Sequence, residues 1–119
     1  MYSPQLLDHF QNPRNAGDLP DANVGVEIEN PVCGDVIRLS VKFDKDRIAA
    51  IKFKAKGCVP AMACGSALTE MVVGKTAEEA GRLTREDLVR AVGGLPQASS
   101  HAAQLALDAL SAALAQIEL

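Results

Sequence analysis

Three stretches of the chain alternate apolar and polar residues with a period of two, and no other feature limits the fold so tightly. In the first, Val24, Val26 and Ile28 interleave with Gly25, Glu27 and Glu29. In the second, Ile37, Leu39, Val41 and Phe43 interleave with Val36, Arg38, Ser40 and Lys42; in the third, Ile51, Phe53 and Ala55 interleave with Lys52, Lys54 and Lys56. Successive side chains of a strand point to opposite faces, so each stretch predicts a strand with one apolar and one water-facing side. Asp44-Lys45-Asp46-Arg47 reads as the hairpin loop between the second and third strands.

A sheet of this kind must have its apolar face covered, and the rest of the chain supplies helices. One spans residues 4–11, opened by Ser3-Pro4 and stopped by Asn12-Pro13-Arg14-Asn15-Ala16-Gly17. A second spans 60–73, with Gly74 as its C-cap, and a short piece covers 76–80. Residues 84–92 follow, with Thr84 as N-cap and Asp87 standing in for the Glu of a capping box. The last helix spans 100–117, with Leu107, Leu110, Leu114 and Ile117 on one stripe. The expected fold is a single α+β domain over residues 1–119: a three-stranded antiparallel sheet with one face covered by helices.

Composition narrows the function classes. At 119 residues, with 48% hydrophobic and 23% charged, the chain has the make-up of a globular domain rather than a disordered one. No apolar run approaches the ~20 residues of a membrane span. The net charge of −3, with no Trp, one Tyr and three Phe, argues against nucleic acid as a partner, for want of both basic excess and stacking rings. Three cysteines are too few for a disulfide scaffold and suggest a reducing compartment. Met1-Tyr2-Ser3-Pro4 begins no secretory leader, and no lipidation motif is present, so a cytoplasmic location is expected.

The residues able to carry chemistry are Cys33, Asp35, Cys58, Cys64, His9 and His101. Cys33 and Asp35 share the parity of Ile37, Leu39, Val41 and Phe43, so they extend the core-facing row beyond the strand's start. An aspartate on that row is out of place in a plain strand. Residues paired across a hairpin face the same side, so odd positions oppose odd positions. That rule excludes Phe43 opposite Ile48. It leaves Phe43 opposite Arg47, which sets Cys33 against Gly57, or Phe43 opposite Ala49, which sets Asp35 against Gly57. Either register gathers Cys33, Asp35 and Cys58 at one end of the sheet, within about 8 Å of one another.

Cys58 precedes the helix that Pro60 opens, where the helix dipole favours a thiolate. His101 falls in the first turn of the last helix, after Ser99 and Ser100 as candidate caps, and a neutral imidazole there can bind metal. Each of these residues also has a plainer reading: Cys33 as a buried turn thiol, Asp35 as a turn cap, Cys58 as core, His101 as surface. Cys64 shares a stripe with Ala61, Leu68 and Met71 and reads as packing. His9 reads as surface, and the Lys52, Lys54 and Lys56 strip as a solvated sheet face. The cysteine spacing contains no C-x-x-C pair of the zinc type and by itself supports only an unspecified metal site.

Beyond these local features, the sequence resembles the scaffold proteins of iron–sulfur cluster assembly, IscU and the N-terminal domain of NifU. The resemblance rests on Met1-Tyr2-Ser3, His9-Phe10-Gln11-Asn12-Pro13-Arg14-Asn15-Ala16-Gly17, Cys33-Gly34-Asp35, Phe53-Lys54-Ala55-Lys56-Gly57-Cys58, Thr69-Glu70 and Gly74-Lys75-Thr76. It implies a cluster site of three cysteines, an aspartate and a histidine, matched here by Cys33, Asp35, Cys58 and His101. The third cysteine, which directly follows the histidine in the family, is replaced by Ala102. Cys64 occupies a position that is usually small and polar, and it could supply the missing ligand only if its helix started late enough to turn it toward the site.

The resemblance implies a carrier that holds iron or a transient [2Fe–2S] cluster, rather than an enzyme. A runner-up is a zinc-bound sulfur-transfer accessory similar to the SufU branch; a third reading is an interaction module with a vestigial site. The implied partners are a cysteine desulfurase, an iron donor and recipient apoproteins. A chaperone partner is disfavoured, because the family's Leu-Pro-Pro-Val-Lys motif becomes Leu95-Pro96-Gln97-Ala98-Ser99.

Overall fold

The computed structural model describes residues 2–31 and 34–117. Three strands, β1 (Val24–Glu29), β2 (Val36–Asp44) and β3 (Arg47–Lys56), form an antiparallel sheet in the order β1-β2-β3. Around it lie α1 (Pro4–Gln11), α2 (Val59–Val72), α3 (Ala77–Gly81), α4 (Arg85–Ala91) and α5 (His101–Leu114), with a 3₁₀ turn at Gln97–Ser99. This is the expected α+β architecture.

The alternation fixes the face of each strand. Val26 lies opposite Leu39, and Leu39 opposite Phe53; Ile37 is flanked by Ile28 and Ala55, and Val41 by Val24 and Ile51. Ile37, Leu39, Val41, Ile51 and Phe53 are buried, whereas Arg38 and Lys54 on the other side are exposed.

The hairpin corrects one expectation. Phe43 does pair with Ile48, although parity excludes it. The pairing shifts between Lys42 and Phe43: Lys42 faces Ala50 and Phe43 faces Ile48, leaving Ala49 as the extra residue of a β-bulge. A bulge inserts one residue into one strand, so parity changes across it while Phe43 and Ile48 both stay buried. Asp44 already pairs with Arg47, which leaves only Lys45-Asp46 as the turn, with Lys45 at φ +59°. From Lys42 back to Val36 the strands run in the second of the two registers considered above. Val36 pairs with Lys56, and Asp35 follows at the level of Gly57.

The caps follow the sequence. The Ser3 hydroxyl accepts the Leu6 amide at 3.0 Å at the start of α1 and donates to the Val92 carbonyl. Thr76–Glu79 and Thr84–Asp87 both close as reciprocal capping boxes, so aspartate serves where glutamate is usual. Ser100, by contrast, makes no side-chain cap at α5. The buried stripe of α5 keeps only Leu110 of the expected leucine row. It is Ala102, Ala103, Leu105, Ala106, Ala109, Leu110 and Ala113, while Leu107 and Leu114 are half-buried and Ile117 lies past the helix end. The small side chains of that stripe let α5 lie close against α2 and the sheet.

His9 is a second correction, because it is buried rather than on the surface. Its Nδ1 shares a 2.8 Å hydrogen bond with Ser66 Oγ, which also accepts the Arg14 amide at 2.9 Å. The Thr69 hydroxyl donates to the Ser66 carbonyl at 2.8 Å and accepts from Asn15 Nδ2 at 3.3 Å. The segment after α1 then reaches the outer edge of β3. There the Asn15 carbonyl accepts the Phe53 amide at 2.9 Å, and Gly17 N–H donates to the Phe53 carbonyl at 2.8 Å. What reads as a helix stop is therefore also the cover of a sheet edge.

Two outcomes are expected. A Cβ at Gly65 would meet Phe53 Cδ2 at 2.6 Å and Ile37 Cδ1 at 3.1 Å, so Gly65→Ala pushes α2 off the sheet. Urea unfolding should show a loss of about 1–3 kcal/mol, the usual cost of overpacking. Burial, with the Arg14 charge adding, holds the His9 imidazole below its ordinary 6.5, against the opposing pull of Glu70 and Asp8. The unfolded chain then takes up its proton first as pH falls. The stabilisation is complete above about 6.5 and lost as pH drops through the folded value. The urea midpoint should fall between pH 7.5 and 5.5, and the fall should be smaller in His9→Asn.

Candidate functional site

Three parts of the chain meet at the end of the sheet farthest from the hairpin turn. Asp35 stands immediately before β2 on the core-facing row and is only 5% exposed. β3 ends at Lys56, Gly57 turns the chain, and Cys58 takes the N-cap position of α2 with extended backbone (φ −75°, ψ 159°). The Cys58 carbonyl accepts the Ala61 amide at 3.1 Å, but the thiol does not cap the helix. Instead its Sγ donates to Asp35 Oδ2 at 3.0 Å. His101, the first residue of α5, brings Nε2 to 3.6 Å from that same oxygen.

The carboxylate thus sits between a thiol and an imidazole. One ligand atom from each of Asp35, Cys58 and His101 lies within 4.8 Å of the other two. The aspartate is buried behind the site, while the histidine side chain is 37% exposed toward water. A sulfur, a nitrogen and an oxygen donor at this spacing suit zinc or iron, and the thiol proton must leave when a metal enters.

Of the residues singled out from sequence, the structure brings Asp35, Cys58 and His101 together. Strand parity placed the first two. No local signal carried His101 to the same end; only the resemblance paired it with them. Cys33 lies outside the described residues. Cys64 is fully buried among the core side chains. Because α2 already begins at Val59, Cys64 does not meet the late-start condition for turning toward the site. Burial pushes its thiol up to about 12, with the neighbouring Cys58 adding to the rise. Ala102 is 1% exposed and packs into the core.

The sequence profile of the NifU-like N terminal domain matches residues 1–118. The chain belongs to that family. Among relatives of this NifU-like domain, the protein named iron-sulfur cluster assembly scaffold protein IscU 1 of Archaeoglobus fulgidus is 47% identical over 114 residues, covering 96% of this chain and 74% of the relative. The scaffold protein IscU of Aquifex aeolicus is 43% identical over 115 residues, 95% and 73% of the two chains. Among solved structures, a hypothetical protein superposes with a TM-score of 0.76 at 33% identity, covering 94% of this chain and 95% of the other. A putative iron-sulfur cluster assembly scaffold protein for the SUF system from Fervidobacterium islandicum shares the fold, with a TM-score of 0.78 at 22% identity and 95% and 96% coverage.

The contrast between the two described cysteines of this NifU-like domain is testable. Iodoacetamide at pH 8 should leave Cys64 unmodified in the folded protein and alkylate it in urea, as read by peptide mass spectrometry. Labelling of Cys64 in the native state as fast as Cys58 would contradict its burial.

Proposed function

We propose that this NifU-like domain is a scaffold of iron–sulfur cluster assembly, holding iron or a transient [2Fe–2S] cluster as cargo and passing it to recipient apoproteins. The observation that carries this is the convergence of Asp35, Cys58 and His101 donor atoms in a chain whose relatives are named as such scaffolds. Cys33 is the fourth donor in this reading. Its thiolate and that of Cys58 bind iron, and the iron in turn binds sulfide. Asp35 contributes a hard oxygen, which suits iron–sulfur chemistry less well than a thiolate and so keeps the cargo releasable. Mixed cysteine and non-cysteine ligation of a [2Fe–2S] cluster is chemically sound, as Rieske centres use it.

The protein works as a carrier and turns over no substrate of its own. Among the described residues no helix is long and apolar enough to cross a membrane. The proposed setting is the cytoplasm, with a cysteine desulfurase supplying sulfur and a separate donor supplying iron. A second reading rests on Ala102, which leaves two sulfurs, one nitrogen and one oxygen in the proposed set. Four such donors close a zinc site without a further thiolate. In that case the protein is a zinc-bound sulfur-transfer accessory of the desulfurase.

Iron, zinc and acid-labile sulfide should be measured per chain in protein purified without oxygen, then again after reconstitution with ferrous iron and sulfide. The expected result is iron with matching sulfide, lost in Cys33→Ser and Cys58→Ser and retained in Cys64→Ala. Zinc that resists replacement, with no sulfide taken up, would favour the second reading.

A further inference from the structure

Gly57 combines two properties, and among the described glycines it alone directs them at a residue of the site. Its φ is +139°, a backbone conformation that residues with a Cβ rarely adopt. A Cβ built on it would lie 2.1 Å from Asp35 Oδ1, 2.6 Å from Cγ and 3.0 Å from Cβ. Gly17, Gly34, Gly74 and Gly94 also have positive φ, but each faces open space within 4 Å. At Gly93 (φ +73°) a Cβ would meet the flexible Gln5 side-chain end at 2.5 Å, which can move aside, and the Ser3 hydroxyl at 2.8 Å, so the crowding there lies at the start of α1 and involves no residue of the site. Asp35 cannot move in that way. It is buried, its Oδ2 receives the Cys58 thiol at 3.0 Å, and the His101 ring stands 3.6 Å away. Its other oxygen occupies the volume that a side chain at position 57 would fill.

We infer that Gly57 is a positioning residue for the metal-binding site: the missing side chain at position 57 is the seat of the Asp35 carboxylate and decides whether the site has an oxygen donor. The inference rests on the reading of Asp35, Cys58 and His101 as ligands. A Cβ at position 57 evicts the carboxylate while leaving the thiol and the imidazole on their own elements. Gly57→Ala therefore converts the site into the one that Asp35→Ala makes, though it changes no ligand.

The test is anaerobic titration of the full chain with Co²⁺, whose sulfur-to-metal charge-transfer band reports thiolate ligation by Cys58 and Cys33 and whose d–d bands report the donor set as a whole. Gly57→Ala should weaken Co²⁺ binding by about tenfold or more, the usual range for outer positions of a metal site. Its d–d bands should match those of Asp35→Ala, with the charge-transfer band retained. In the double variant Asp35→Ala/Gly57→Ala the affinity should fall no more than about twofold below Asp35→Ala alone, because the two changes act through one contact. Gly17→Ala, which imposes a Cβ at the comparable φ of +120° in open space, should keep the wild-type affinity and bands.

Wild-type affinity and bands in Gly57→Ala, or losses that multiply in the double variant, would overturn the inference. If circular dichroism finds Gly57→Ala unfolded, a folded double variant supports it, because truncating Asp35 relieves the two shortest contacts. A double variant that also fails to fold overturns it, since the backbone alone then sets the requirement for glycine. A wild-type protein that binds no Co²⁺, or a charge-transfer band that keeps its full intensity in Cys58→Ser, would instead overturn the site reading itself, and this inference with it.

Discussion

Burying α2 on nearly its whole circumference is the constraint around which the rest of the structure is arranged. Ten of its fourteen residues are buried, so it cannot lie on a surface as an amphipathic helix does; it needs the sheet, α1 and α5 on three sides. Its composition makes this possible. Ala61, Ala63, Gly65 and Ala67 have little or no side chain, and α5 answers with its own row of alanines, so the elements approach closely and gain dispersion contacts. The polar members of α2 then create an obligation, because an unpartnered hydroxyl inside the core is costly. His9, Arg14 and Asn15 meet it at Ser66 and Thr69, and in meeting it they bring the N-terminal segment onto the edge of β3.

The same constraint builds the site. With α2 fixed against the sheet, its N-cap residue is held at the end of β3, beside the aspartate that precedes β2. Docking of α5 on α2 then delivers the His101 ring to the same oxygen. The donors therefore come from three places in the chain and are brought together by tertiary packing. Cys58 occupies a cap position yet gives its thiol to Asp35 rather than to the helix amides. That use of a cap residue costs the helix a hydrogen bond and leaves the sulfur available to a metal.

How much of this was legible in the sequence depends on whether the signal was local. Strand faces, the opening of α1 by Ser3-Pro4 and both capping boxes are written in residues a few positions apart, and the structure follows them. Parity carried further: it set Asp35 and Cys58 at one end of the sheet from two strand patterns alone. His9 was misread because its partner, Ser66, lies 57 positions away on another helix, and nothing near His9 indicates burial. On α5 larger side chains suggest the buried face, but the buried stripe shares only Leu110 with that row, because close packing against α2 favours the alanines beside it. His101 had no physical signal linking it to Asp35, since the path between them runs through the tertiary docking of two helices.

Phe43 opposite Ile48 broke the parity rule because the rule assumes strands without an extra residue. That extra residue, Ala49, has a consequence for the tolerance of the hairpin to changes in chain length. The bulge lies between the turn and the body of the hairpin, so the register changes there, from Phe43 opposite Ile48 at the tip to Lys42 opposite Ala50 in the body. A strand without a bulge transmits a one-residue change along its whole length and turns every later side chain to the opposite face. Here Ala49 acts as slack. The chain can take up or give back one residue at the bulge while the far end of the sheet, where Asp35 and Cys58 face each other, keeps its alignment.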